Sequence, residues 1–290
     1  MFHGVLLLDK PKNISSNKAL YLIKKILSPN KAGIVGILDP LASGMLPIVL
    51  NEGTKLAKYI ENQDKEYLVI AKLGFTSTTG DEEGIITSTN KDVQLALSTM
   101  SLSKVLTSFI GKQKQIPPMY SGLKVNGIKL YKLARQGIDI DRKPRDINIS
   151  NIELISVNQN EIKIKVSCSK GTYIRTLVES IGSRIGVGAY TKDLRRLRVG
   201  SFHEQDMVLL DDIVRIDNHI ISLEMMIGEM ESIIITQVEL QTLRYGQAVY
   251  TENYINIDEI AIKNQNSNIV GIGKIINHYI YTKRLMNFDE

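Results

Sequence analysis

The chain has 290 residues, enough for one large domain and a small one, and its 43% hydrophobic and 23% charged residues are ordinary for a globular protein. One cysteine excludes an intrachain disulfide, which indicates a reducing compartment, and four scattered histidines offer no zinc-ligand spacing. No segment has the pattern of a signal peptide or a membrane span, so the sequence predicts a cytoplasmic protein.

The first predicted elements are a short buried strand at Val5–Leu8 and a helix that follows the cap candidate Ser15, where apolar residues recur at helical spacing. The next segment, Ala32–Leu50, holds one charged residue, Asp39, among apolar residues, glycines and prolines. Because Pro40 disfavours helical geometry at Asp39, we interpret the whole segment as a loop.

Further predicted elements mix helices and strands. The helices are Thr54–Ile60, Leu95–Ile110 and Leu130–Gln136, and the strands are Tyr67–Leu73, Ile147–Val157 and Ile162–Cys168. They do not follow a strict βαβ order, so the predicted class is α+β, a mixed sheet with flanking helices. After an acidic helical stretch, short strands start with Ile233–Val238, at the spacing of a small β-barrel. We predict two domains, 1–231 and 232–290.

Charge is distributed unevenly along a chain whose net charge is +5. Residues 112–145 hold nine Lys or Arg against two Asp, and residues 170–200 hold seven against two acids. Residues 201–234 hold eight acids and one Arg. This segregation predicts a basic face that suits a phosphate backbone, although solvated surface charge without a partner is an open alternative.

Two residues are candidates for chemistry. Burial of an ionised carboxylate among apolar neighbours costs free energy unless a partner is supplied, so Asp39 is a candidate nucleophile. The simpler interpretation of Asp39 is a turn aspartate before a proline. Arg175 falls in the first turn of a helix that we predict Thr172 to cap. The helix dipole disfavours a cation there by about 0.3–1 kcal/mol, which suggests a carboxylate partner, with an exposed arginine as the alternative.

Two Gly-x-Gly pieces do not extend into a dinucleotide or P-loop motif, so no nucleotide cofactor is predicted.

Several longer segments, in order, resemble the TruB family of bacterial tRNA pseudouridine synthases. They are VLLLDKPKNISSN, GILDPLASGMLPIVL, DKEYLVIAKLG, IPPMYSGLKVNGIKLYKLARQG, CSKGTYIRTL and KDLRRLRVG, and they cover most of residues 4–200. The tail, with LRYGQAV and IVGIGKI, is more loosely similar to the family's C-terminal PUA-type RNA-binding domain. The resemblance implies a pseudouridine-synthase fold with a PUA-like domain, and isomerisation of uridine 55 in the tRNA T-loop.

The resemblance also implies roles for single residues. Asp39 falls on the family's nucleophilic aspartate, Arg175 on the arginine that pairs with it, and Tyr67 on the tyrosine that stacks against the target base. Tyr173 and Leu194 fall on positions that line the base pocket. We expect Arg175 to keep Asp39 ionised in its apolar surroundings. Whether Asp39 attacks the sugar C1′ or the base stays open.

The segment Tyr120–Arg145 corresponds to an insertion that clamps the tRNA, and its candidate contacts are Lys124, Lys129, Lys132 and Arg135. The isomerisation involves no redox step and no net hydrolysis, so no cofactor or metal is implied. The tRNA is the expected partner of a monomer.

One departure from the family pattern concerns substrate binding. Ile34 stands where the family usually has a histidine that contacts the target nucleotide, and isoleucine cannot donate a hydrogen bond. This departure leaves one alternative, a tRNA-binding or tRNA-folding chaperone with impaired catalysis. A related synthase that acts on another RNA is a separate alternative.

Overall fold

The computed structural model describes residues 2–99, 101–213 and 219–288. The helices are α1 (Ser16–Leu27), α2 (Ala57–Glu61), α3 (Val93–Thr99), α4 (Leu102–Thr107), α5 (Leu130–Arg135), α6 (Ile174–Ile185), α7 (Leu223–Ile227) and α8 (Gln237–Arg244). The strands up to residue 129 are β1 (Gly4–Lys10), β2 (Ala32–Ile34), β3 (Ser43–Leu50), β4 (Lys65–Leu73), β5 (Phe75–Ser77), β6 (Ile86–Ser88), β7 (Gly111–Gln115), β8 (Lys124–Val125) and β9 (Ile128–Lys129). The later strands are β10 (Arg145–Asn158), β11 (Glu161–Cys168), β12 (Ala189–Val199), β13 (Val208–Leu209), β14 (Ile220–Ile221), β15 (Ser232–Ile234), β16 (Val249–Tyr250), β17 (Ile257–Lys263), β18 (Ile269–Ile276) and β19 (Tyr279–Leu285).

The larger sheet is mixed. Within the described residues its strands lie in the order β13-β1-β3-β12-β4-β11-β10-β7, with β14 beside β1 and β2 beside β3. The β1–β13 and β3–β12 pairs are parallel, whereas pairs such as β1–β3 and β4–β12 are antiparallel. Helices α1, α4 and α6 pack on one face of this sheet. The predicted α+β class, a mixed sheet with flanking helices, is confirmed.

The centre of the larger sheet is buried on both faces. In β1, Leu6 and Leu8 point into the core under α1, α4 and α6, while Val5 and Leu7 point into a second core. A strand that is buried on both faces shows no polar alternation, and β3 therefore appears in the sequence as a continuous apolar run. The prediction that all of Ala32–Leu50 is a loop is wrong for this reason, since only residues 35–42 form a loop.

The second sheet is smaller and has the order β15-β17-β18-β19-β16. One side of it packs on helix α8 through Leu240 and Leu243. Ala261 and Ile272 of this sheet share a core with β1 and β3, which joins the two sheets. The small C-terminal β-domain expected from the sequence is therefore present, while the division at residue 231/232 stays a prediction.

The strand predicted at Ile233–Val238 is wrong beyond Ile234, because helix α8 begins at Gln237. The Glu239 N–H donates to Thr236 Oγ1 at 3.2 Å, and the Thr236 N–H donates to the Glu239 carboxylate at 2.7 Å. These reciprocal bonds form a capping box. The Thr-x-x-Glu pattern is a sequence signal for a helix start, which the β-branched run before it obscures.

The helix predicted at Leu95–Ile110 is two helices, α3 and α4. Ser101 starts the second one, since its side chain accepts a hydrogen bond from the Lys104 N–H at 3.4 Å. The predicted acidic helical stretch contains short helical turns, and residues 214–218 of it lie outside the described residues. Among the helices that the structure describes, none has the length and hydropathy needed to span a membrane.

Candidate active site

Loop 35–42 leaves the larger sheet at a gap beside β3. On that side, β2 pairs with residues 48–50 of β3 and β12 with residues 43–44, so no strand pairs with the residues in between. Pro47 lies in this gap, where its missing N–H is not needed by a neighbouring strand, and its carbonyl accepts from the Val35 N–H at 2.9 Å. Loop 35–42 carries Asp39.

Buried side chains hold the backbone of loop 35–42. The Ser16 hydroxyl at the start of α1 donates to the Leu38 carbonyl at 2.8 Å and accepts from the Leu38 N–H at 2.9 Å. Arg196 of β12 donates to the carbonyls of Gly36 at 2.9 Å and Met45 at 2.6 Å. Because these partners lie within the core, the positions of the residues around Asp39 are set by the tertiary structure.

Lys10 holds the other end of the loop. Its ammonium donates to the carbonyls of Pro11 and Ile14 at 2.8 Å each and to that of Pro40 at 3.3 Å. Burial lowers the pKa of Lys10 from 10.5 to about 8, and the negative charge of Asp39 opposes this effect. Lys10 thus joins the end of β1 to the residue after Asp39.

Arg175 of α6 and Asp39 form an ion pair with two contacts. Arg175 Nε lies 3.0 Å from Asp39 Oδ2, and Nη2 donates to Oδ1 at 3.3 Å. The Arg175 side chain is 6% exposed, whereas 34% of the Asp39 side chain remains exposed. A fork of two N–H groups fixes the orientation of the carboxylate and leaves it accessible to a ligand.

Three further groups hold the Arg175 guanidinium, and the sequence analysis did not identify any of them. Nη1 lies 3.3 Å from Asp81 Oδ2 and donates to the Thr79 carbonyl at 2.8 Å, while Nη2 donates to the Tyr120 carbonyl at 2.6 Å. Asp81 is fully buried. It lies in the polar, Gly-containing segment 76–84 together with two other acidic residues, so no sequence signal separated it from these neighbours.

The start of α6 differs from the prediction. The side chain of Thr172 does not cap the helix; its hydroxyl donates to the Ser169 carbonyl at 2.9 Å. The cap position is Tyr173, whose N–H donates to Gln115 Oε1 at 2.8 Å. Arg175 nevertheless lies in the first helical turn, as predicted, and the two carboxylates beside it offset the unfavourable helix dipole.

Burial raises the pKa of Asp39 above its ordinary value of 3.8. The Arg175 guanidinium and the more distant Lys10 oppose the rise, and the Asp81 carboxylate adds to it. Arg175 therefore favours the ionised form, as expected, but its effect does not exceed the cost of burial. Among the described residues, no cluster of three or more His, Cys, Asp or Glu side chains is arranged to hold a metal ion.

Tyr67 and Leu194 lie on neighbouring strands next to the pair. Tyr67 of β4 is in register with Arg196 of β12, and Val69 of β4 is in register with Leu194. The Tyr67 side chain is largely buried and belongs to the main core, as does Leu194. Burial raises the pKa of the Tyr67 phenol above 10, while the Arg196 charge opposes the rise and the Asp39 charge adds to it. Tyr67 thus lies on the strand beside Arg196, which itself bonds to the loop that carries Asp39.

Tyr173 and Ile34 are both half-buried. Tyr173 precedes Arg175 by two residues, and burial raises the pKa of its phenol. Ile34 is in β2, in register with Ile48 of β3, and packs against the main core. Its apolar side chain therefore has a structural role in the sheet.

The predicted RNA contacts lie on a small hairpin and the helix after it. Lys124 of β8 and Lys129 of β9 are paired in register, and α5 follows directly. The Tyr131 ring lies between two cations, 5.8 Å from Lys129 Nζ and 5.6 Å from the Arg135 guanidinium. Lys124, Lys132 and Arg135 are exposed. Residues 120–145, which we call the clamp, are connected to the site through the Tyr120 carbonyl that accepts from Arg175.

The order of the larger sheet and the small β-domain define a known class of fold. A chain of the archaeal box H/ACA sRNP Nop10–Cbf5 complex has the same fold, with a TM-score of 0.70 at 22% identity over 98% of this chain and 86% of that chain. The fold is that of the pseudouridine synthases.

Sequence comparison is more specific. The family model "TruB family pseudouridylate synthase (N terminal domain)" matches residues 24–174, and "tRNA pseudouridylate synthase B C-terminal domain" matches residues 175–234. A tRNA pseudouridine synthase B of Coxiella burnetii is 40% identical over 94% of this chain and 91% of its own length. One of Nitrosococcus oceani is 49% identical over 73% of this chain and 68% of its own length. The chain belongs to the TruB family of pseudouridine synthases, which are isomerases.

Proposed function

We propose that this protein converts uridine 55 in the T-loop of tRNA to pseudouridine, with Asp39 as the nucleophile. The observation that carries the proposal is the Asp39–Arg175 pair, in which an enclosed carboxylate keeps one open side. Enclosure excludes water from a reactive intermediate, and the open side admits a substrate. That the relatives are tRNA pseudouridine synthases supports tRNA as the substrate.

The reaction begins with a base that leaves the RNA stack, at a cost of a few kcal/mol that backbone contacts offset. The ionised Asp39 then attacks either C1′ of the sugar or the uracil ring. The C1′–N1 bond breaks, the uracil turns, and C5 bonds to C1′. The bond between Asp39 and the substrate breaks in the same sequence, which returns the carboxylate to its ionised form. C5 loses its proton and N1 gains one, so atoms and charge balance without an external reactant.

We assign roles to the neighbouring residues as part of this proposal. Arg175 stabilises the ionised form of Asp39 and fixes its orientation through two N–H groups. Tyr67 offers an aromatic wall against which the displaced uracil stacks, and Leu194 and Tyr173 complete the pocket. Ile34 supplies an apolar contact at the position where the family has a histidine.

The clamp and the small β-domain are assigned to RNA binding. Exposed Lys124, Lys132 and Arg135, together with Lys129, are placed to neutralise phosphates of the T stem-loop. We assign residues 232–290 to a PUA-like domain that binds RNA outside the T-loop, and residues 1–231 to the catalytic domain.

The test is to incubate the recombinant protein with a tRNA transcript and map pseudouridine with a specific chemical probe. We expect pseudouridine at position 55 with the wild type and none with Asp39→Asn, because the amide is not a nucleophile. Asp39→Asn should still bind tRNA. A matched control is Asp212→Asn, which changes an exposed acid.

Three results would contradict parts of the proposal. Wild-type turnover by Asp39→Asn would remove Asp39 from the mechanism. Tight tRNA binding by the wild type without any pseudouridine would favour the chaperone alternative and point to Ile34. Pseudouridine only in RNAs other than tRNA would leave the enzyme class intact and change the substrate.

A further inference from the structure

Helix α1 and its flanking segments form a third basic region of the chain. Residues 10–38 contain six lysines and no acidic residue. Two of these lysines have partners: Lys10 donates to three buried carbonyls, and Lys12 pairs with Asp193 at 2.7 Å. No carboxylate that the structure describes forms an ion pair with the other four, which are Lys18, Lys24, Lys25 and Lys31.

Three of these lysines share one face of α1 with a tyrosine. Spacings of three, four and seven residues place neighbouring side chains on the same side of a helix, and the opposite side of α1 packs in the core through Ala19, Ile23 and Leu27. Tyr21 is 59% exposed, and its ring centroid lies 5.1 Å from Lys18 Nζ. We call the exposed set the α1 lysine face; it consists of Lys18, Tyr21, Lys24 and Lys25.

In the proposed function the open side of Asp39 is the catalytic cleft, and the α1 lysine face begins next to the loop that carries Asp39. Ser16, in the first turn of α1, makes both hydrogen bonds to the backbone of Leu38, the residue before Asp39. A helix of 12 residues is about 18 Å long, so the face extends from the cleft over a distance comparable to several nucleotides. The buried contact between Ser16 and Leu38 fixes the face relative to Asp39.

We propose that the α1 lysine face binds the phosphate backbone of the substrate RNA as it leaves the cleft; this rests on the proposed function. Charge complementarity favours RNA as the ligand of this face, because the face carries three lysines and residues 10–38 contain no acidic residue. Lys18 and Lys25 contact phosphates, and the Tyr21 ring keeps the Lys18 ammonium in place. The face does not take part in the chemical step.

The test variant is Lys18→Ala/Lys25→Ala, and its matched control is Lys91→Ala/Lys104→Ala, which removes two exposed lysines elsewhere on the surface. For the test variant we expect KM for tRNA to rise about fivefold, with kcat at saturation unchanged, because only substrate binding is affected. The control changes net charge equally and should leave KM within a factor of two.

Binding is measured separately in an Asp39→Asn background, where no turnover occurs. The slope of log Kd against log salt concentration should decrease by about two for the test variant, since each lysine–phosphate contact releases about one counterion. A Lys18→Arg/Lys25→Arg variant keeps both charges and should restore the wild-type slope and KM. Thermal unfolding of all variants checks that the fold is intact.

The results separate this proposal from the proposed function. If the wild type forms no pseudouridine, the proposed function fails, and the salt slope still reports on the α1 lysine face. If the test variant matches the wild type in KM and slope, or if the control is equally impaired, the α1 lysine face does not bind RNA. An unchanged slope together with binding of an acidic protein would assign the face to a protein partner, which would also overturn the proposal.

Discussion

Loop 35–42 and the clamp both contact Arg175, but they are attached to the protein in opposite ways. Backbone groups of the loop bond to the buried side chains of Ser16, Lys10 and Arg196. The clamp consists of a two-stranded hairpin and the short helix α5, and most of its charged side chains are exposed. A reacting carboxylate needs a fixed position, whereas a flexible RNA backbone is bound by a surface that adapts to it. Mutations in the two regions should therefore differ in kind.

After the complete loss expected for Asp39→Asn, the largest effect is expected from Arg175→Lys, which removes the group that contacts the loop, the clamp and Asp81 together. Lysine keeps the charge but loses the planar fork, so it cannot serve two carboxylates and two carbonyls at once. We expect kcat/KM to fall about 10²- to 10³-fold and the free energy of unfolding to fall by about 3 kcal/mol. Steady-state kinetics and denaturant unfolding measure the two quantities.

The control for this prediction is Arg184→Lys on the same helix, where the exposed guanidinium lies 5.5 Å from the centre of the Phe109 ring. Its activity should stay within a factor of two of the wild type. Equal activities of Arg175→Lys and the wild type would mean that the observed pair has no role in the reaction.

An intermediate effect on activity is expected from Ser16→Ala, which removes one of the side chains that hold loop 35–42. The substitution leaves the buried N–H and C=O of Leu38 without their partner, at a cost of about 1–3 kcal/mol in unfolding free energy. Because Leu38 precedes Asp39, kcat should fall about tenfold while KM changes little.

Ser180→Ala is the matched control, since Ser180 is exposed and bonds only to a carbonyl of its own helix, that of Thr176. A Ser16→Ala protein with lower stability but unchanged kcat would show that the loop keeps its position without this hydroxyl.

The smallest effect is expected in the clamp, from Lys132→Ala/Arg135→Ala. Both side chains are exposed, so the unfolding free energy should change by less than about 0.5 kcal/mol. We expect KM for tRNA to rise about threefold with kcat unchanged, and the rise to shrink at high salt, where ions screen electrostatic binding. The control Lys91→Ala/Arg184→Ala removes one lysine and one arginine outside the clamp. A loss of kcat in the clamp variant would contradict the division of roles between the two regions.

Elements with a clear local signal were predicted correctly. Helix α1 begins after the cap Ser15, whose hydroxyl accepts from the Lys18 N–H at 3.1 Å, and the alternating pattern of Ile162–Cys168 is strand β11. Strand β3 was missed because both of its faces are buried, and α8 because a β-branched run precedes its capping box. The elements predicted correctly have a hydrophobic pattern that the segment itself sets, whereas the pattern of the missed elements depends on what packs against them or precedes them.

The residues of the candidate site also fall into two groups, those that the sequence identifies and those that only tertiary contacts identify. The family motifs alone identify Asp39, Arg175 and Tyr67 as one set of site residues. It did not identify Asp81, or the anchoring roles of Ser16 and Arg196, because their importance comes from groups more than 20 residues away in sequence.

By itself, the sequence determined the class of fold, the family and the types of residue at the site, because residue order, spacing and charge are local properties. Only the tertiary structure decided which side chains enclose Asp39, that burial raises its pKa, and where the basic face of α1 lies relative to it. The physical reason is that burial and hydrogen-bond partners depend on segments that meet only when the sheet forms.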